Sequence, residues 1–348
     1  MKALLRLAWR PFQFPLARAL VTAQGRLAER RGWLLRLEAA DGRLGWGEAA
    51  PFPGSDPIQA CRLSIAQLGP CQGRQQLEEA LPALPGPLAF AVGAALAELD
   101  GLAAEAAASL PAGSLPAGSL PVGSLPAGWL ATGWLQAPPS AWLLPAGAAL
   151  LPALEQALSS NAQTLKWKVA AGDDALERQL LEVLLERLPE AARLRLDANA
   201  GWDRATAAAW AERLVDEPRL EWLEQPLADD DIEGLEALAH RLPVALDESL
   251  RRHPWLRERW SGWQVRRPAQ EGDPRPLLAA LAVGRPGWMV STAFETGVGR
   301  RLVEHAAALQ WRGPTPTAPG LAPQWRPSGP LFNADPAVAW AALQPEGP

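Results

Sequence analysis

Between Ala141 and Gly299 the chain repeats one pattern: a short apolar stretch ending in a charge, a polar turn, and a segment whose leucines and alanines recur at helical spacing. "TLKWKVA" at 164–170 is followed by Asp173 and Asp174, which are placed to cap a helix carrying Leu176, Leu180, Val183, Leu184 and Leu188 on one face. "LRLDANAGW", "LEWLEQPL", "PVALDESL", "WQVRRPA" and "WMVSTAFETGVG" follow in turn, with helical segments between them. Repeated βα units imply a parallel sheet, because parallel neighbours can be joined only by a long crossover. A doubly wound sheet and a closed barrel both satisfy the alternation. No glycine-rich phosphate loop follows the first of these strands, which counts against the dinucleotide-binding form.

The charges favour the barrel. Alternate residues of a barrel strand point inward, and the C-terminal mouth is where strands hand over to loops. Lys166 and Lys168, Asp197 and Asn199, Glu224, Asp247, and Arg267 in phase with Val265 share that inward phase. Leu165, Trp167, Val169, Leu196, Leu223 and Leu246 fall on the other, facing a helix layer. A single acid at a strand end is ordinarily a helix cap or a loop charge. Three on consecutive strands, Asp197, Glu224 and Asp247, crowd negative charge into a cavity and call for a cation. Oxygen ligands without His or Cys select a hard ion, and Mg²⁺ is the expectation. A lysine beside such an ion, or beside a second lysine, is expected to lose its proton more readily and to serve as a general base. The plainer alternative is a pair of lysines reaching to solvent, which apolar residues on either side of them disfavour.

Residues 4–50 read as strands joined by turns, with Asp41-Gly42 as a tight hairpin. Residues 57–105 switch to helical spacing, so that 1–105 forms an α+β module. "SLPAGSLPAGSLPVGSLPAG" then runs from Ser109 to Gly128. Proline at every fifth position forbids a regular helix or a central strand, and 106–140 is expected to be an inserted linker or surface loop. Residues 141–320 make the barrel domain, and 321–348 are expected to complete the first module.

A net charge of -5 removes the cationic surface that nucleic-acid binding requires. Cys61 and Cys71 are too few for a disulfide framework and suit a reducing compartment. Arg6 and Arg10 interrupt the N-terminal apolar stretch, and no apolar run approaches the ~20 residues of a membrane span. A cytoplasmic protein with a small-molecule substrate, and with neither nucleic acid nor membrane as partner, is the expectation. Nothing in the sequence fixes an oligomeric state.

"LKWKV", "LDANAGW", "WLEQPL" and "LDES", in this order and spacing, resemble the muconate-lactonising subgroup of the enolase superfamily, and "GWGEAAPFPG" around Glu48 looks like its capping-domain loop. The resemblance covers nearly all the chain outside the pentapeptide insert. It implies an α/β fold, a (β/α) barrel of the TIM type with an α+β capping domain. It also implies Mg²⁺ on Asp197, Glu224 and Asp247, Lys168 as the base that later serves as acid, and Lys166 as its tuning partner. Asn199, Ser291, Thr292 and Gly297 would meet substrate oxygens, while Phe52 and Pro53 would close the site. Within the subgroup the chain looks most like members that dehydrate a cyclohexadiene carboxylate on the route to menaquinone or phylloquinone. It departs from the subgroup at Arg267, where a lysine is usual. Arginine stays protonated, so two-base epimerisation is disfavoured and a one-base reaction survives. A cycloisomerase of the muconate-lactonising type and an inactive binding protein on the same fold are the alternatives. His240, His253 and His305 lie in helical or loop contexts, which argues against the subgroup that uses a histidine base.

Overall fold

In the first fifty residues side chains alternate between two faces, and each face finds its own cover. The computed structural model describes residues 4–22, 25–53, 55–102 and 134–345, so the pentapeptide stretch lies outside the described residues. Strands β1 (Leu4–Thr22), β2 (Gly25–Ala39), β3 (Leu44–Ala49) and β4 (Cys71–Gly73) form an antiparallel sheet in the order β3-β2-β1-β4. Asp41-Gly42 makes the expected turn between β2 and β3, with Gly42 at a φ of 85°. Leu5, Leu7, Leu35 and Leu37 pack against the helices on one face. Phe12, Phe14, Leu34 and Trp46 face the other way, onto Val298 and Trp340.

Two contacts fix this sheet. Gly45 and Gly47 of β3 lie against the carbonyl oxygens of Ala95 and Ala91 in the helix Gly86–Leu99, where any side chain on either glycine would collide. On the opposite face the chain end returns: Arg10 donates to the carbonyls of Trp340 (2.7 Å) and Leu343 (2.8 Å), and Phe332 meets the Phe14 ring edge-on at 4.8 Å.

The second sheet is parallel and runs β5 (Trp142–Leu144), β6 (Thr164–Lys168), β7 (Arg193–Asp197), β8 (Leu220–Glu224), β9 (Val244–Leu246), β10 (Trp263–Arg266) and β11 (Trp288–Val290), each beside the next. An eighth position is filled by 319–321, too short to read as a strand. Gly320 N donates to Val290 O (2.9 Å) on one side, and Ala141 N donates to Pro319 O (3.0 Å) on the other. That segment joins the two edges of the curled sheet. Four of the helices between the strands begin with acidic caps: Asp173, Asp203, Asp231 and Asp273 each accept a backbone N–H of the first turn. The outward side chains Leu165, Trp167, Leu196, Leu223 and Leu246 form the core with this helix layer. Inside the barrel sit Trp222, Ala245, Val265 and Met289, beneath the charged mouth. No helix among the described residues is long and apolar enough to cross a membrane.

Candidate active site

The parallel register sets Lys168 beside Asp197 and Asp197 beside Glu224, so that three neighbouring strands end in charge at one level. Lys166 lies one inward position lower. Its Nζ bridges Asp197 Oδ2 at 2.9 Å and Glu224 Oε1 at 2.6 Å. Across the mouth Arg267 Nε donates to Asp247 Oδ1 (2.9 Å), its Nη2 to Oδ2, and its Nη1 to Ser291 Oγ (3.1 Å) and Thr292 O (2.5 Å). Asn199 Nδ2 donates to Glu248 Oε1 at 3.2 Å.

The lysines part company here. Burial works against the charge of Lys166, yet Asp197 and Glu224 outweigh it and hold the ammonium above its ordinary value. Two carboxylates within hydrogen-bond reach thus favour the protonated form of Lys166. Lys168 is half-buried and, among the described residues, its side chain has no ion-pair or hydrogen-bond partner.

The carboxylates are oversupplied. Asp197, Glu224, Asp247 and Glu248 gather around two bound cations, Lys166 and Arg267. Burial, with Asp197 and Asp247 near, holds Glu224 above the usual carboxylate range even though Lys166 opposes it. Burial together with Asp247 and Asp197 pushes Glu248 up to about 8, and its Oε2 is buried without a partner. Asp247 goes the other way: burial would raise it, but Arg267 outweighs burial and holds it low. Among the described residues no three carboxylates stand close enough to grip one ion, since Lys166 and Arg267 lie between them. The donor set nonetheless fits a hard divalent cation: oxygen only, net negative, with an orphaned buried oxygen on Glu248.

The backbone is strained where it supports these groups. Ala170, Asn199, Ala200, Gln225 and Phe294, none of them glycine, have φ between 39° and 63°, and each follows a strand end at the mouth. Gln225 shows why. It is fully buried, its Oε1 accepts from Asp247 N and Ser249 N (3.1 Å each), and its Nε2 donates to Ser249 Oγ (2.8 Å). The side chain thus holds the turn that carries Asp247 and Glu248.

Other predicted residues are placed less directly. Ser291 Oγ lies between Arg267 and Gly320 O. The Thr292 hydroxyl is committed to Glu295 Oε2 (2.5 Å) and Phe294 N (2.8 Å), so only its carbonyl faces Arg267. Gly297 is packed on the Asn333 carbonyl, with no room for a Cβ, which explains the glycine by close approach. Phe52 is half-buried between the guanidinium groups of Arg30 (5.1 Å) and Arg251 (5.8 Å), and Pro53 is exposed. Glu248, Gln225, Arg251 and Glu48 were not singled out from sequence as site residues. The only signals for the first two were the acid following Asp247 and the glutamine following Glu224.

Comparison with known proteins gives a consistent result. The family described as Enolase C-terminal domain-like matches residues 150–260. The o-succinylbenzoate synthase of Thermosynechococcus vestitus is 33% identical over 314 residues, covering 86% of this chain and 88% of that protein. That of Enterobacter sp. strain 638 is 29% identical over 319 residues, with 89% and 88% covered. Among solved structures, an o-succinylbenzoate synthase from Thermosynechococcus elongatus BP-1 with magnesium in its active site superposes with a TM-score of 0.75 at 30% identity, over 97% of this chain and 100% of that one. The L-Ala-D/L-Glu epimerase of Bacillus subtilis shares the fold, with a TM-score of 0.67 at 22% identity over 94% of this chain and 92% of that one.

Proposed function

This chain belongs to the o-succinylbenzoate synthase family of the enolase superfamily, and we propose that it uses Lys168 as the single base of the family's dehydration. The activity is that of a carbon–oxygen lyase converting a succinyl-substituted hydroxycyclohexadiene carboxylate to o-succinylbenzoate, with magnesium as cofactor. The observation that carries the assignment of the base is the contrast along one strand: Lys166 is clamped by Asp197 and Glu224, whereas Lys168 has no carboxylate partner among the described residues.

In this reading Asp197, Glu224 and Asp247, with Glu248 alongside, would hold the magnesium ion, and a bound ion would supply positive charge where the substrate's ring carboxylate gathers negative charge. Lys168 Nζ takes the proton from the ring carbon that bears the carboxylate. The electron pair of that C–H bond becomes a ring double bond as the neighbouring C–O bond breaks on the same face. The Lys168 ammonium returns its proton to the departing hydroxyl, which leaves as water, and the ring becomes aromatic. Lys166 keeps Asp197 and Glu224 from repelling one another. Arg267, always protonated, can bear on the substrate only as a cation, which suits a reaction with one base. Asn199 and the Ser291–Thr292 turn border the same space, and Phe52 roofs it.

Residues 1–105, joined by 321–348, form the capping unit in this reading. What supports the division is the packing of Trp340 and Phe332 on the first sheet. A cytoplasmic location suits Cys61 and Cys71, which are both free thiols, and the product would enter menaquinone or phylloquinone synthesis.

The test follows loss of the diene absorbance of the substrate, with Mg²⁺, with EDTA, and with Lys168→Ala. Metal-dependent turnover that vanishes in the variant supports the reading. Turnover retained by Lys168→Ala removes Lys168 from its role. No turnover by folded wild-type protein with Mg²⁺ overturns the proposed reaction.

A further inference from the structure

Glu48 is the last residue but one of β3 and pairs with Leu34 of β2 in the ladder, yet its carboxylate makes its hydrogen bonds outside that sheet. It is 1% exposed, and the carboxylate's partners lie 248 and 251 residues further along the chain. Oε2 accepts from Thr296 N (2.9 Å), Thr296 Oγ1 (2.5 Å) and Gly299 N (3.0 Å), and Oε1 accepts from Thr296 N (3.2 Å). Its hydrogen-bond partners are all donors, while the Glu295 carboxylate also lies near enough to act on its charge. The plain explanation is a carboxylate completing a helix N-terminus. But the helix Gly297–Trp311 already has its own cap, since Thr296 Oγ1 accepts from Val298 N. Glu48 adds a second attachment from the other sheet, and the helix makes room for it: a Cβ on Gly299 would stand 2.7 Å from Glu48 Oε2.

What Glu48 holds is the turn that anchors Arg267. Residues 291–296 pass through a left-handed Phe294 (φ 63°), braced by Thr292 Oγ1 on Glu295 and by Ala293 N on Glu295 Oε1 at 2.6 Å. The turn offers Ser291 Oγ and Thr292 O to Arg267 Nη1. A continuous path therefore runs from Glu48 through Thr296, the turn and Arg267 to Asp247. At the other end β3 cannot slide, because Gly45 and Gly47 are jammed against the helix Gly86–Leu99.

We propose that Glu48 is a positioning residue that acts through the 291–296 turn, so that its own tie to that turn, and not the seating of the first sheet in general, determines where Arg267 stands over the substrate. The reading of Arg267 as a substrate-facing cation comes from the proposed function, and this inference rests on it. A second tie runs to the same helix one turn further on: Arg301 Nη1 donates to Glu98 Oε1 (2.9 Å) and Trp46 N of β3 donates to Glu98 Oε2 (2.7 Å), so Glu98 holds the same strand as Glu48 but has no hydrogen bond to 291–296. It provides the control.

The experiment measures kcat and KM with saturating Mg²⁺ for wild type, Glu48→Gln, Gly299→Ala, Glu98→Gln, Arg267→Lys and the Glu48→Gln/Arg267→Lys double variant. Rates are taken at a temperature where circular dichroism shows each protein folded. Amide hydrogen exchange across 291–299 is followed in parallel and needs no turnover. Glu48→Gln is expected to lower kcat/KM by 10- to 100-fold while Mg²⁺ affinity by calorimetry stays within twofold. Its Thr296 and Gly299 amides should exchange at least tenfold faster. Gly299→Ala displaces the carboxylate without harming the helix and should act in the same direction; it carries the test if Glu48→Gln does not fold. Glu98→Gln should lower the melting temperature and leave kcat/KM within twofold. The double variant should be no worse than about its poorer parent, because both changes disturb one element. Unchanged exchange in Glu48→Gln, wild-type kcat/KM in that variant, or losses that multiply in the double variant would each overturn the proposal. An inactive wild type whose amides still loosen in Glu48→Gln would condemn the proposed reaction and leave the tie standing.

Discussion

Two lysines on one strand face, two positions apart, end in opposite circumstances, and the difference is one of reach. Lys166 lies one inward position below Asp197 and Glu224 and its Nζ reaches both, whereas the Lys168 side chain, at their own level on the mouth, makes no ion pair among the described residues. Lys168→Ala should therefore lower kcat by a factor on the order of 10² to 10⁴ with little change in melting temperature, read by steady-state kinetics and calorimetry. Lys166→Met should do the reverse in stability. It strands two buried carboxylates, and urea unfolding should show a loss of about 3–5 kcal/mol. His305 supplies the pH dependence. It is buried, its Nδ1 accepts from Leu135 N at 3.3 Å, and burial followed by Arg312 lowers its pKa from 6.5 to about 4. The unfolded chain binds this proton first as pH falls, so stability is present above 6.5 and is lost between there and about 4. That loss is on the order of 3 kcal/mol from this one group. Urea midpoints measured across that range should flatten in His305→Asn.

At the scale of elements, the firmest constraint is close approach of backbones. β3 meets the helix Gly86–Leu99 through Gly45 and Gly47 on one side and Ala91 and Ala95 on the other. Gly47→Ala must push the strand and helix apart. It should cost roughly 1–3 kcal/mol, seen as a lower urea midpoint with an unchanged slope. The same logic explains the crossovers of the barrel. Of the acidic caps, Asp173 and Asp174 were readable ahead of a helix. Asp173 is the cap, while Asp174 lies inside the first turn and accepts from Arg178 and Trp210, and Asp203 and Asp231 cap by the same short-side-chain chemistry. The segment 319–321 was not readable. "PTAPGLAP" has no strand pattern, and it pairs only because two sheet edges leave a gap of its width.

At the scale of the whole molecule, charge at the mouth should couple metal to stability. Mg²⁺ has no comparable cluster to bind in the unfolded chain, so adding it should raise the melting temperature saturably. At a hundredfold excess over Kd the gain is about 2.7 kcal/mol. Glu224→Gln should abolish most of that response in a scanning-calorimetry titration, and a wild type indifferent to Mg²⁺ would count against the fit of the carboxylates to the ion.

The sequence by itself determined the parallel βα order, the inward phase of Lys166, Lys168, Asp197, Glu224, Asp247 and Arg267, and the hairpin at Asp41-Gly42, since periodicity and turn chemistry are local properties of the chain. The tertiary structure alone decided which lysine is paired and which free, that the Thr292 hydroxyl turns away to Glu295, that Glu248 joins the acidic cluster, and that Glu48 reaches the turn at Thr296. Those outcomes depend on distances between residues far apart in the chain, which packing fixes and no local pattern encodes.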